Sequence, residues 1–336
     1  MFARSISILQ QSHHINSQFP KTIPEINSRN QFPKMQFPKM QFPKMQFPKT
    51  TEAILLSCFG YLNPTETAEG GIHVIMKPDI SAQGGSEMSS YPAIRKLWRS
   101  YGIDSVQSLN RYLDNFRILF AYHSGKIEND EITYHDTREI FENGKVLNFT
   151  GNPRSIMEQQ NQKLCYDFLK AKIVAREPLT IDLIREIHRI LTSATYDERR
   201  YVENNERPGE LKKHDYITGI HEIGSPPDRV ESDLLELLTE IQEEHGDNIL
   251  QTASYFHLRF ESIHPFADGN GRVGRTLLNY YLLTRDEPPL IVFDEDKDAY
   301  YRALEKYDSE DQISPMCDFL IQETEKTWKI TLERSL

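Results

Sequence analysis

The stretch His264-Pro-Phe-Ala-Asp-Gly-Asn-Gly-Arg-Val-Gly-Arg275 decides the reading of this chain. Apolar residues flank it at helical spacing: Leu250, Ala253, Phe256, Phe260 and Ile263 before it, Leu277, Leu278, Tyr281 and Leu282 after it. The segment therefore reads as helix, tight loop, helix. Gly269-Asn270-Gly271 lets successive backbone amides turn to one side, because glycine accepts φ > 0 at little cost. Such a turn at a helix N-terminus makes an anion-binding nest. Arg272 and Arg275 share one face of the following helix, where two guanidiniums reach successive phosphates. Asp268 is placed to hold a divalent cation, and Mg2+ bridging phosphate oxygens suits a lone carboxylate best. His264, just ahead of the nest, has the residue type and position of a general base. Base, metal carboxylate, nest and paired arginines together predict phosphoryl or nucleotidyl transfer.

Each part alone has a plainer reading. A single histidine is usually structural and a single Gly-Asn-Gly is usually a turn. The joint pattern is what carries the chemistry. No G-x4-G-K-[ST] run occurs, which excludes a P-loop, and one His without Cys does not make a zinc site.

The stretch resembles the signature H-x-F-x-[DE]-G-N-G-R-x-x-R of the Fic family, with every fixed position met across residues 264–275. The resemblance implies an all-α domain with a small β-hairpin flap, spanning roughly residues 92–335. It implies transfer of AMP from ATP to a Ser, Thr or Tyr hydroxyl of a protein, itself included. Carried over, His264 would take the hydroxyl proton and Asp268 would bind Mg2+. Asn270 with the Gly269 and Gly271 amides would hold the α- and β-phosphates, Arg272 the β-phosphate and Arg275 the γ-phosphate. Glycine at 271 departs from the Doc-like branch, which carries Lys there and phosphorylates instead. Alternatives at the same site are AMP removal or another nucleotide donor. An idle peptide-binding module is the alternative of a different class.

Two further resemblances bear on control and on target binding. Ser124-Gly-Lys-Ile-Glu128-Asn129 follows an amphipathic run through Leu109, Leu113, Phe116 and Phe120, an inhibitory helix expected at about 108–124. It resembles the family's inhibitory motif [ST]-x-x-x-E-[GN], in which Glu128 would pair with Arg275 and block the γ-phosphate position. Without the resemblance it reads as a helix C-terminal turn with a solvated glutamate. Ile217-Thr218-Gly219-Ile220 has β character and would supply the flap, whose edge would bind the protein target by strand addition. Tyr300 and Tyr301 resemble adenine-side contacts, though helical packing also explains them. Where relatives carry Asn, this chain has Asp308, and Glu287-Pro288-Pro289 replaces a common Gly-Pro-Pro.

Composition sets the remaining bounds. The net charge of −11 argues against nucleic acid as a partner. Cys58, Cys165 and Cys317 are scattered and odd in number, which suits a reducing, cytoplasmic location rather than a disulfide framework. The longest apolar run, Ala53 to Leu62, is broken by Ser57 and Gly60 and too short to span a bilayer. Gln-Phe-Pro-Lys recurs at 18–21, 31–34, 36–39, 41–44 and 46–49, and proline in each copy blocks regular helix and strand. Residues 1–90 therefore read as a disordered low-complexity tail and linker, and 91–336 as the folded domain. In that domain, Leu164, Phe168, Leu169 and Ile173 are expected to face inward on one helix, and Val230, Leu234, Leu235, Leu237, Leu238 and Ile241 mark a later helix. Ser314-Pro315 is expected to cap the closing helix.

Overall fold

The computed structural model describes residues 89–129, 131–146, 149–217, 224–243 and 248–335. Ten α-helices follow in order: α1 Tyr91–Ser100, α2 Val106–Glu128, α3 Tyr134–Asn143, α4 Pro153–Val174 and α5 Ile181–Leu191. After them come α6 Val230–Glu243, α7 Ile249–Ile263, α8 Asn270–Leu283, α9 Lys297–Glu310 and α10 Ser314–Glu333. Among the described residues there is no strand. The expected low-complexity segment falls on residues outside those described.

Local sequence explains most helix starts. The Ser105 hydroxyl accepts the Ser108 amide and opens α2 with a capping box, and Thr133 does the same for α3 with Asp136. Asn152 caps α4 with Pro153 in its first turn, and Thr180 accepts the Leu183 amide ahead of α5. The closing helix differs from expectation. Ser314 is its first helical residue, not its cap, and Ile313 precedes it without a side-chain bond. Proline, not serine, sets that start.

Helix α8 is the central element. Nearly all of its residues are buried, and α7, α5, α2 and α4 pack around it. Its apolar side chains Val273, Leu277, Leu278, Tyr281 and Leu282 join one continuous core with Phe256 and Phe260 of α7 and Ile184 and Ile187 of α5. Gly274 allows the α7–α8 approach, since a Cβ there would stand 2.0 Å from Glu261 Oε1. Asn279 fixes the following loop by accepting the Leu290 amide at 2.8 Å and donating to the Leu290 carbonyl at 2.9 Å.

Two leucines of the apolar patterns, Leu164 among those expected inward, are exposed. Leu164 and Leu235 have relative exposures of 49% and 54%. Cys165 is buried, whereas Cys317 is only half-buried. Glu287 is fully buried and clamps α1 to the loop after α8. Arg95 Nε donates to both of its oxygens at 2.7 Å, and Arg99 Nη2 donates to Oε1 at 2.5 Å. A glycine in that place would leave both arginines without this carboxylate.

Candidate active site

The signature loop is held by its own backbone. His264 ends α7 in a left-handed conformation with φ 50°, and Gly269 precedes α8 with φ 82°. The Asn270 side chain closes the turn between them. Its Oδ1 accepts the Phe266 amide at 2.9 Å and its Nδ2 donates to the Phe266 carbonyl at 2.7 Å. The side chain is thus committed to the loop, and the backbone amide is what Asn270 has left to offer an anion. Phe266 is buried and stacks on His188, with centroids 3.7 Å apart and planes at 4°. His188 takes the Gly209 amide on Nδ1 at 2.8 Å and contacts the Asp268 carbonyl with Nε2 at 3.1 Å. The first bond makes Nδ1 the acceptor, so Nε2 carries the proton and donates to Asp268. Burial pushes its pKa down to about 3. It is a structural histidine that orients the loop.

The loop forms one wall of a cleft of about 710 Å³, lined also by Glu128, Arg200, Tyr216, Glu261, Tyr301 and Asp308. The unpaired amides of the first turn of α8 lie at this wall, as helix geometry requires. Gly271 keeps that wall open, because a Cβ would fall 2.7 Å from Glu128 Oε1 and 2.9 Å from Arg275 Nη1.

Three groups from α2 converge on Arg275, which is only 2% exposed. Arg275 Nη2 donates to Glu128 Oε1 at 2.8 Å and to the Ser124 carbonyl at 3.0 Å, while Nε donates to Ser124 Oγ at 3.1 Å. Burial favours a neutral Glu128, but the charge and hydrogen bond of Arg275 outweigh it and hold the carboxyl below its usual value. Ser124 and Glu128 lie inside α2 and not in a turn after it, because the helix runs on to Glu128. Lys297 Nζ donates to the Ile127 carbonyl at 2.9 Å and satisfies one of the last carbonyls of that helix.

His264 is half-buried, and its ring bonds to the Glu261 backbone. Burial, aided by the nearby Lys212 ammonium, pushes its pKa down to about 4. The imidazole is therefore neutral at physiological pH and able to accept a proton. Asp268 sits at the cleft wall with its side chain 18% exposed. Arg272 is buried, ion-paired with Glu158 at 3.1 Å, yet its Nε and Nη1 make no well-aligned hydrogen bond. Nη1 thus meets Glu158 as an ion pair only, and Nε is left without a hydrogen-bond acceptor among the described residues.

The remaining predicted residues divide. Tyr301 is 43% exposed at the cleft rim, where a planar ring can stack. Tyr300 is buried, and its hydroxyl lies 2.8 Å from His257 Nε2, so packing is its first role. Ile217 is 79% exposed beside the cleft. Thr218, Gly219 and Ile220 lie outside the described residues. Sequence reading passed over Arg154, Glu158 and Glu261. Glu261, three residues before His264, has a buried Oε1 without a hydrogen-bond partner, and burial lifts its pKa to about 7. The visible signal for the first two was an Arg–Glu pair at i,i+4 on α4. Nothing local ties that pair to a loop more than a hundred residues away.

The helical fold with this loop at its centre defines a Fic-type domain, and residues 178–282 match the Fic/DOC family. A protein adenylyltransferase Fic of Drosophila persimilis is 29% identical over 239 residues, covering 68% of this chain and 43% of that protein. Its counterpart in Drosophila melanogaster is 30% identical over 221 residues, covering 63% and 41%. The chain thus spans less than half the length of these curated relatives. A Fic domain containing signaling protein from Bacteroides thetaiotaomicron superposes with a TM-score of 0.63 at 23% identity, over 73% of this chain and 96% of that one. Fic-1 from C. elegans gives 0.60 at 23% identity, over 73% and 70%. These two likenesses establish the fold. No helix among the described residues is long and apolar enough to cross a membrane.

Proposed function

We propose that the chain is a protein adenylyltransferase that moves AMP from ATP to a hydroxyl of a protein, held in check by Glu128. The observation that carries this reading is the union of a neutral His264, the open N-terminus of α8 and two buried arginines around one cleft. His264 accepts the proton of the target hydroxyl, whose oxygen attacks the α-phosphorus, and pyrophosphate leaves. The α8 amides and Arg272 hold the α- and β-phosphates, and Arg275 holds the γ-phosphate once Glu128 has withdrawn. Rate enhancement comes from positioning and from charge already in place where the transition state needs it.

The residues fit Mg2+ in donor chemistry. Asp268 is one carboxylate at the wall where phosphates would lie, and Mg2+ is commonly held by one or two carboxylates plus phosphate oxygens and water. A cation, the Arg154 guanidinium, already stands at Asp268 Oδ2 at 2.6 Å. When bound, Mg2+ would neutralise phosphate charge there. Tyr301 would stack on the adenine. The target would approach past Ile217, and self-modification belongs to the same reading. The folded domain would run over 91–336, in a cytoplasmic setting that suits the scattered cysteines.

The test is incorporation of label from ATP carrying it on the α-phosphate or, separately, on the γ-phosphate. Wild type, Glu128→Gly and Glu128→Gly/His264→Ala are compared. Strong α-label in the Glu128→Gly single variant alone supports the reading. Label from the γ-phosphate, or none in any variant, overturns it.

A further inference from the structure

Arg154, on the first turn of α4, joins two carboxylates, Glu158 of its own helix and Asp268 of the loop before α8. Its Nη2 donates to Asp268 Oδ2 at 2.6 Å and its Nε donates to Glu158 Oε1 at 2.8 Å. Glu158 in turn pairs with Arg272 at 3.1 Å, and Arg272 Nη2 stands 4.0 Å from Asp268 Oδ1. The Asp268 carboxylate thus faces a guanidinium on either side. The oxygen nearest a protein cation, Oδ2, is bonded to Arg154 alone among the described residues.

A divalent cation binds carboxylate oxygen directly, and one oxygen in a strong guanidinium bond is a poor ligand for it. Two cations at contact distance also repel, and a half-buried site screens them only in part. The two arginines differ in their freedom to leave. Arg272 is 3% exposed and confined, whereas Arg154 is 32% exposed and keeps a second partner in Glu158. The planar guanidinium moves as one unit, so a swing about the aliphatic bonds of the side chain can release Asp268 and keep Glu158 as its partner.

Resting on the adenylyltransferase reading, we propose that Arg154 is the resident cation of Asp268 and must be exchanged for the divalent cation when nucleotide binds. Asp268 alternates between two partners, and Arg154 sets the apparent metal affinity of the site. It acts as a gating residue, touching the metal ligand and not the reacting atoms. In the exchanged state its guanidinium rests on Glu158, so that charge is never left alone in the interior.

The experiment titrates Mn2+ into the full-length chain with the β,γ-imido analogue of ATP, following free Mn2+ by electron paramagnetic resonance. Glu128→Gly serves as the parent, so that the nucleotide position is open, and Arg154→Gln and Arg154→Lys are added to it. Nucleotide affinity is measured alongside without metal. Loss of the charge in Arg154→Gln should tighten Mn2+ binding by about tenfold, the scale of one like-charge contact in a partly screened site. Arg154→Lys, which keeps the charge, should stay near the parent. Equal or weaker Mn2+ binding by Arg154→Gln, with nucleotide binding intact, overturns the exchange and leaves the adenylyltransferase reading standing. Tight binding by Arg154→Lys equal to that of Arg154→Gln also overturns it, because charge is then not what excludes the metal. Absence of both nucleotide and Mn2+ binding in the parent overturns the reading and the exchange together.

Discussion

Glu128 Oε1 lies 2.8 Å from Arg275 Nη2 across the gap between α2 and α8, and Ser124, one turn earlier on α2, takes the Arg275 Nε at 3.1 Å. The guanidinium assigned to the γ-phosphate is therefore shared among three oxygens of one helix before any nucleotide arrives. A carboxylate in that place competes with phosphate for the same donors. The Ser124 hydroxyl accepts a charge-assisted hydrogen bond, worth about 1.5 kcal/mol at the low end, and the Ser124 carbonyl contact survives substitution. Ser124→Ala should thus raise α-label incorporation by about tenfold, and Glu128→Gly should raise it further. Equal effects of the two variants would show that the carboxylate restrains no more than the hydroxyl does.

His264 should govern the acid limb of activity. Its pKa is lowered to about 4, so the base is neutral across the physiological range and becomes protonated only as pH falls towards that value. In the Glu128→Gly background, transfer measured from pH 8 down to pH 4 should hold until the acid end and then decline. A decline centred near 6.5, the ordinary histidine value, would contradict a buried base. His264→Ala should lose transfer at every pH while calorimetry still detects ATP binding.

Gly125 lies inside the restraining segment, and α2 owes its closeness to α4 to it. A Cβ at that place would fall 2.1 Å from Gln159 Nε2, and the Gln159 side chain is buried. Gly125→Ala should therefore cost roughly 1–3 kcal/mol by overpacking. The strain acts on the helix that carries Ser124 and Glu128. A lowered thermal midpoint together with raised α-label incorporation is the expected pair of outcomes. An unchanged midpoint would mean that Gln159 yields freely.

Glu287 gives a prediction about stability alone. Removing it leaves Arg95 and Arg99 without their shared carboxylate and frees α1 from the loop after α8. Breaking a buried ion pair costs about 3–5 kcal/mol, but both arginines are partly exposed, so about 2 kcal/mol is expected for Glu287→Ala. Urea unfolding should show the loss with nucleotide binding unchanged. A loss below the error of the fit would mean that α1 is held by Ile94 and Trp98 in the core and gains nothing from the clamp.

Legibility in the sequence followed distance along the chain. The 264–275 loop was readable because its base, nest and arginines lie within twelve residues, where spacing fixes geometry. The pairing of Glu128 with Arg275 became readable only through resemblance, since no periodicity links residues 147 apart. Arg154 was not readable at all. An Arg–Glu pair on a helix looks like a solvated face, and only packing of α4 beside the loop turns it towards Asp268. Glu287 shows the converse error: a break in a turn pattern was a gain in clamping, visible only once α1 is seen against it. Leu164 and Leu235 fit the apolar period yet are exposed, because periodicity places a residue on a helix and not against a neighbour.

His257 supplies a pH dependence of stability that is independent of catalysis. It is fully buried on α7, its Nε2 lies 2.8 Å from the Tyr300 hydroxyl, and burial with the nearby Arg275 charge lowers its pKa to about 3. The unfolded chain would titrate this group near 6.5. Between those values the unfolded state holds the extra proton, so this histidine makes stability fall as pH falls below about 6.5, levelling off near 3. Glu261, whose pKa is raised to about 7, acts in the opposite sense, since the folded state holds its proton there. The net curve therefore mixes both, and comparison of variants isolates one. His257→Gln keeps a side-chain amide for the Tyr300 hydroxyl and removes the titration. Its urea midpoint should sit below that of the wild type at pH 7, through lost packing. From pH 6 to pH 5 it should lose about 1.4 kcal/mol less than the wild type, one proton's worth per pH unit. Parallel curves for the two proteins would show that His257 takes up its proton without unfolding.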